Sequence, residues 1–160
     1  MTLLDTMDKE NTTETRKLKV MGLTLRACIK QALRRHGLTC GMKACGELLH
    51  SAPSTVMMCL LPDSRHNVSV HINQTLIEAF CRENNILTIH VKDDSKLQML
   101  LHKLSDGRHG SRINGKSDDS SCLLIQVPKR GPSKEDQLLC QYFEEMLKQT
   151  YPLPHLTLPD

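Results

Sequence analysis

The sequence predicts an α/β domain, a three-layer α/β/α sandwich on a mixed central sheet, and three observations carry that expectation. Apolar runs of strand length, VMMCLL at 56–61, ILTIHV at 86–91 and CLLIQV at 122–127, each stop at a proline or a polar stretch. Longer segments between them repeat their apolar residues at helical spacing. A chain of 160 residues with 39% apolar content can bury one core and is too short for two ordinary ones. Strands separated by helices require crossover connections, which place helices on the faces of a parallel or mixed sheet.

Residues 1–15 are polar and lack an apolar period, so they read as a flexible tail before a single domain over 16–160. From Lys17 to His36, Leu18, Met21, Leu25, Ile29, Ala32 and Leu33 share one helical face, and Gly37 suits a left-handed cap. Arg26, Lys30 and Arg34 follow at i+4 steps on a flank of this helix. Such a basic surface could meet phosphates or an acidic partner, although a solvated helix face is the commoner meaning. Leu38 to Cys40 suits a short strand, and Met42, Cys45, Leu48 and Leu49 a short helix ending before Pro53. Gly46 weakens that helix by about 1 kcal/mol relative to alanine. VMMCLL follows as the expected central strand, covered on both faces.

The stretch NVSVHINQTLIEAFCREN, 67–84, reads as a helix with two apolar faces. Val68, Ile72, Leu76, Ala79 and Phe80 form the longer stripe, assigned to the core; Val70, Ile77 and Cys81 form a smaller group. His71, Gln74, Glu78 and Arg82 occupy the arc between them. A helix apolar on two sides must cover both, with this chain or with a partner.

After ILTIHV, residues Asp93, Asp94 and Ser95 can cap a helix carrying Leu97, Leu100, Leu101 and Leu104. The Gly- and Ser-rich segment 105–121 reads as a mobile loop. Beyond CLLIQV, Ser133 and Asp136 resemble a capping box for a last helix with Leu138, Leu139, Tyr142, Phe143, Met146 and Leu147 on its apolar side. Pro152 and Pro154 end it, and the tail HLTLPD either adds an edge strand or frays.

Chemistry is sparse. The phosphate-binding, dinucleotide-binding, nucleophile-elbow and zinc-protease motifs are absent. His71, Thr75 and Glu78 bring an imidazole, a hydroxyl and a carboxylate to one helix, but an amphipathic surface explains them more economically than catalysis. His66 has no second metal ligand at helical spacing and His90, within a strand pattern, reads as a structural residue, so no metal or cofactor is expected. The seven cysteines are odd in number and scattered through apolar segments without C-x-x-C pairing, which suits reduced core residues in the cytosol or nucleus. Cys81 in particular reads as a small buried hydrophobe rather than an interface thiol. A net charge of +3 does not by itself indicate nucleic acid, and neither a membrane span nor a signal peptide is recognisable.

The run TLIEAFC followed by EN, with an isoleucine before it, resembles the signature helix of the growth arrest and DNA-damage-inducible (Gadd) stress-response family, and weaker similarity extends from LTCG to LTLPD. The resemblance implies a fold related to the ribosomal kink-turn-binding superfamily and a non-enzymatic adaptor of nucleus and cytoplasm. It implies contacts with a mitogen-activated protein (MAP) kinase kinase kinase, the cyclin B-dependent kinase complex, the replication sliding clamp and a cyclin-dependent kinase inhibitor. The implied outcomes are growth arrest, apoptosis and DNA repair.

It also implies a homodimer through the signature helix, at Ile72, Thr75, Leu76, Ile77, Ala79, Phe80 and Cys81. Combined with the helical wheel, this selects Val70, Ile77 and Cys81 as the expected interface, so that Ile77→Asp should give a folded monomer. Family members carry an acidic loop, implicated in kinase contacts, where this chain has the shorter Pro62, Asp63, Ser64, Arg65, His66 and Asn67. Asp63 to His66 is the corresponding candidate for partner contact. Tyr151 to Pro154 stand where a Trp-Val-Pro run would be expected, and the family's usual acidic balance is missing. The alternative reading is an RNA-binding module of the wider superfamily. Its kink-turn readers use Gly-x-Asn-Glu where this chain has Gly41, Met42, Lys43 and Ala44, and aromatic content is only 2%.

Overall fold

A computed structural model of the chain describes residues 3–63, 67–92, 94–105, 113–115, 119–149 and 155–159. Helix α1 spans Leu3–Arg34, followed by strand β1 at Leu38–Cys40 and helix α2 at Met42–Ser51. Strand β2 is Val56–Pro62, helix α3 Val68–Glu83, strand β3 Leu87–Val91 and helix α4 Asp94–Ser105. Strand β4 at Asn114–Gly115, strand β5 at Leu123–Gln126 and helix α5 at Lys134–Gln149 complete the order.

The sheet runs β3-β2-β5-β1-β4. It is mixed: β5 is antiparallel to both β1 and β2, whereas β2 pairs in parallel with β3 and β1 with β4. The middle position therefore belongs to β5, and VMMCLL lies one strand away from it. Strand alternation sorts the side chains into two cores. Met58, Leu60, Leu123 and Ile125 point to the face covered by Leu25 and Ile29 of α1, Leu97 and Leu101 of α4, and Leu139 and Phe143 of α5. Cys59, Leu61, Cys122 and Leu124 point to the opposite face, under Cys45 and Leu49 of α2 and Cys81 of α3. The result is the expected three-layer α/β/α sandwich.

Among the described residues two helices end in a left-handed residue, as the sequence anticipates for one, but the residue differs. His36, not Gly37, adopts φ 60°, and Gly37 N donates to Ala32 O at 2.8 Å. Asn85 adopts φ 57° after α3, and Ile86 N donates to Cys81 O at 2.8 Å. Both are the long backward bonds of a Schellman ending. Ser133 and Asp136 form the anticipated capping box: Ser133 N donates to Asp136 Oδ2 at 2.9 Å and Asp136 N to Ser133 Oγ at 3.1 Å.

Two segments carry more regular structure than the sequence alone suggests. Helix α1 begins at Leu3, so most of the segment read as a tail is helical. No glycine or proline precedes Gly22, so a helix nucleated where α1 packs can propagate through this polar stretch. Within 105–121, Ile113 is buried and Asn114 and Gly115 pair with Thr39 and Cys40 as the strand β4; residues 106–112 and 116–118 lie outside the described residues. At the other edge, Leu156 bridges Val91 in parallel, with Leu156 N donating to His90 O and Lys92 N to Leu156 O, both at 2.9 Å. The tail thus takes the edge-strand alternative. No helix among the described residues is long and apolar enough to cross a membrane.

Candidate functional site

Helix α3 starts at Asn67, whose side-chain oxygen accepts from Val70 N at 3.2 Å. Its rotation about its own axis is set one and a half turns later. The Gln74 amide is buried and donates to Pro62 O at 2.9 Å and Ser121 O at 2.8 Å, tying the helix to the end of β2 and the approach to β5. One side chain thus supplies a donor to two carbonyls, one buried and one part-buried.

With Gln74 inward, residues four before and three and seven after it must also face inward. Cys81 is accordingly 0% exposed, and Ile77 and Phe80 pack against the same buried cluster. Val70 is half-buried. The longer stripe faces out: Val68 is 73% exposed, Ile72 54% and Leu76 65%, with Ala79 exposed beside them.

This reverses the faces expected from the helical wheel. Val68, Ile72, Leu76 and Ala79 are not core, and Cys81 cannot meet a partner's surface while it stays under the helix. Val70 and Ile77 are also on the inward half, so the surface expected at Val70, Ile77 and Cys81 is turned toward this chain's own core. A helical wheel puts Gln74, a polar residue, on the solvated arc, and its bonds to Pro62 O and Ser121 O turn it inward instead.

Cys81 belongs to a group of buried thiols beneath α2 and α3. Cys59 Sγ lies 3.9 Å from Cys122 Sγ, and Cys45 Sγ donates to Cys122 O at 3.3 Å. Bonding to Cys122, then to Cys81, pushes the Cys59 thiol well above its ordinary value, and accepting from Cys59 holds Cys81 below its own. These thiols have no path to an oxidant or substrate without opening the layer, and they fill the core as small hydrophobes.

Beside the outward stripe runs a cleft of about 430 Å³ lined by Asp63, His71, Thr75, Glu78, His90 and His155, among others. Glu78 Oε1 accepts from Arg82 at 3.0 Å and lies 3.1 Å from His90 Nε2, and His90 stacks on His155 with ring centroids 5.0 Å apart. Thr75 donates its hydroxyl to His71 O, one turn back in its own helix, at 2.9 Å. The carboxylate is thus spent on ion pairing and the hydroxyl on the helix backbone, so neither is arranged as base and nucleophile. Sequence reading had missed the Glu78–His90–His155 grouping because its members come from α3, β3 and the chain end.

Of the candidate contact loop, Asp63 is half-buried and donates its amide to Val91 O at 2.9 Å; Ser64, Arg65 and His66 lie outside the described residues. The basic surface is not an open stripe. Arg34 is exposed, but Arg26 and Lys30 are half-buried, and the Arg26 Nε is buried. At the start of α2, Asp119 Oδ2 accepts from Met42 N at 3.2 Å, so a carboxylate of the chain itself occupies the helix end that a phosphate would seek.

Comparison with known proteins adds to this geometry. Growth arrest and DNA damage-inducible protein GADD45 alpha of Cricetulus griseus is 30% identical, over all of this chain and 99% of that protein. The human GADD45 alpha is 29% identical, covering 92% of this chain and 93% of its own. GADD45 gamma of Rattus norvegicus is 28% identical across the full length of both. No family model matches the chain.

Proposed function

The chain belongs to the growth arrest and DNA damage-inducible GADD45 family, and from that premise we propose that it regulates stress responses by protein contact, with helix α3 as its principal docking face. The observation that carries this reading is the outward stripe of Val68, Ile72 and Leu76, three large apolar side chains left more than half exposed on one helix. A domain that has two filled cores and still presents such a stripe has a surface that association would cover.

Self-association through this stripe is the first use. The residues implied by the family resemblance include Ile72, Thr75, Leu76 and Ala79, all of which face solvent here. The partners in this reading are a MAP kinase kinase kinase, the cyclin B-dependent kinase complex, the sliding clamp and a cyclin-dependent kinase inhibitor, met in nucleus and cytoplasm. An adaptor of this kind activates a kinase only by binding its uninhibited state more tightly than its autoinhibited one.

The test is titration of the purified chain into the regulatory region of the kinase kinase kinase, with binding and kinase activity read together. Saturable binding with activation supports the reading. Absence of both from a folded protein removes the kinase from the proposal. The RNA alternative gains nothing from the structure, since Asp119 already holds the α2 amide and the basic flank of α1 is partly covered.

A further inference from the structure

The crossing from β5 to α5 places an exposed basic pair just ahead of a serine. Residues 127–132 run over the surface, with Val127, Lys129, Arg130 and Pro132 exposed. Gly131 shapes the crossing: it adopts φ 90°, a conformation that favours glycine, and its amide donates to Pro128 O at 3.0 Å. Neither Lys129 nor Arg130 forms an ion pair among the described residues. Ser133 follows Arg130 by three positions and Lys129 by four, and it is half-buried.

The two sides of this serine differ in what a second protein could read. On its N-terminal side the cations belong to a loop. On its C-terminal side the acids belong to the helix: Glu135 accepts from Gln31 Nε2 of α1 at 3.1 Å, and Asp136 is 0% exposed. Reading those acids would require unwinding α5, whereas reading Lys129 and Arg130 requires only that the loop and the first helical turn yield. A first turn is where a helix frays, and the Ser133 hydroxyl is held there by one hydrogen bond, from Asp136 N at 3.1 Å.

We propose that Ser133 is a phosphorylation site for a protein kinase that selects basic residues before its target serine. Acidic groups of such a kinase meet Arg130 and Lys129, the kind of charge pattern by which kinases sort substrates. Ser133 Oγ attacks the γ-phosphorus of ATP, the bond to the leaving ADP breaks, and the hydroxyl proton passes to the carboxylate of the kinase's catalytic loop. The product carries a nearly dianionic phosphate beside the Asp136 carboxylate, which is buried and cannot turn to water. Repulsion between them opens the reciprocal Ser133–Asp136 cap, so modification loosens the start of α5 where it meets α1.

The experiment incubates the folded full chain with ATP and the catalytic subunit of a basic-directed serine kinase, and in parallel with an acid-directed one. Phosphate is mapped by tandem mass spectrometry. The basic-directed kinase is expected to modify Ser133, and Arg130→Glu to lower kcat/KM by about tenfold or more, while Lys17→Glu on α1 leaves it unchanged. The phosphorylated chain should melt about 2–4 °C lower, as Ser133→Ala does. The same Arg-x-x-Ser spacing recurs at Arg108 and Ser111, outside the described residues, and mapping separates the two. No modification of Ser133, phosphate on Ser111 alone, modification by the acid-directed kinase alone, or indifference to Arg130→Glu would overturn the proposal. An unchanged or raised melting temperature would overturn the opening of the cap.

Discussion

Gln74 Nε2 donates to Pro62 O at 2.9 Å, and this bond decides which side of α3 the rest of the cell can touch. A second donation to Ser121 O makes the amide a clamp between two parts of the sheet. Gln74→Leu is similar in size and removes both bonds, leaving one buried and one part-buried carbonyl without that donor. It should cost about 1–3 kcal/mol, read as a lower urea midpoint at unchanged slope. A variant as stable as the parent would show that the helix is oriented by its apolar side chains alone.

Gly22 is the second anchor, because its missing side chain admits Thr157 O. Gly22→Ala should push residues 155–159 away from α1 and destabilise the chain by about 1–3 kcal/mol, despite the better helix propensity of alanine. Protease cleavage near the C-terminus should become faster. Stabilisation instead would mean that the contact yields easily.

The capping box of α5 offers a smaller, sharper test. Ser133→Ala removes the acceptor for Asp136 N and should cost about 1 kcal/mol. The change should appear in thermal melting with no change in oligomeric state.

Thiol chemistry should single out one cysteine. Six of the seven are buried, and only Cys140 is part-exposed. Burial, then the carboxylates of Asp136 and Glu144, pushes its thiol above the ordinary value. Less thiolate is therefore present at neutral pH, and labelling of Cys140 should be slow there and quicken as pH rises. The other six should react only on unfolding. Rapid reaction of several thiols in the native protein would contradict the closed layer beneath α2 and α3.

Much of this was legible in the residues. VMMCLL, ILTIHV and CLLIQV became β2, β3 and β5 because continuous apolar runs of that length have few other homes, and the Ser133–Asp136 signature marked the start of α5. Strand β4 was hidden because it is two residues, Asn114 and Gly115, within a polar stretch, and its register depends on β1, far away in sequence. The N-terminal turns of α1 were hidden because polar residues can extend a helix without leaving an apolar period. The exposed side of α3 is the opposite of the one the wheel selects, for a more instructive reason. Counting apolar residues favours the stripe with more of them, yet the buried side of α3 contains Gln74, and only the backbone carbonyls it meets explain why a polar residue lies inward. The set implied by the family resemblance spans both sides of the helix, with Ile72 and Leu76 exposed and Ile77, Phe80 and Cys81 turned toward the core.

The most direct test compares neighbours on α3 that face opposite ways, Leu76 outward and Ile77 inward. Sedimentation velocity of the parent chain, Leu76→Asp and Ile77→Asp, each checked by circular dichroism, measures association and folding together. The account predicts a dimeric parent, a folded monomer from Leu76→Asp, and an Ile77→Asp chain weakened by about 2 kcal/mol or more through a charge placed against the core. An unchanged dimer for Leu76→Asp, together with a folded, stable monomer for Ile77→Asp, would contradict it and return the interface to the other face.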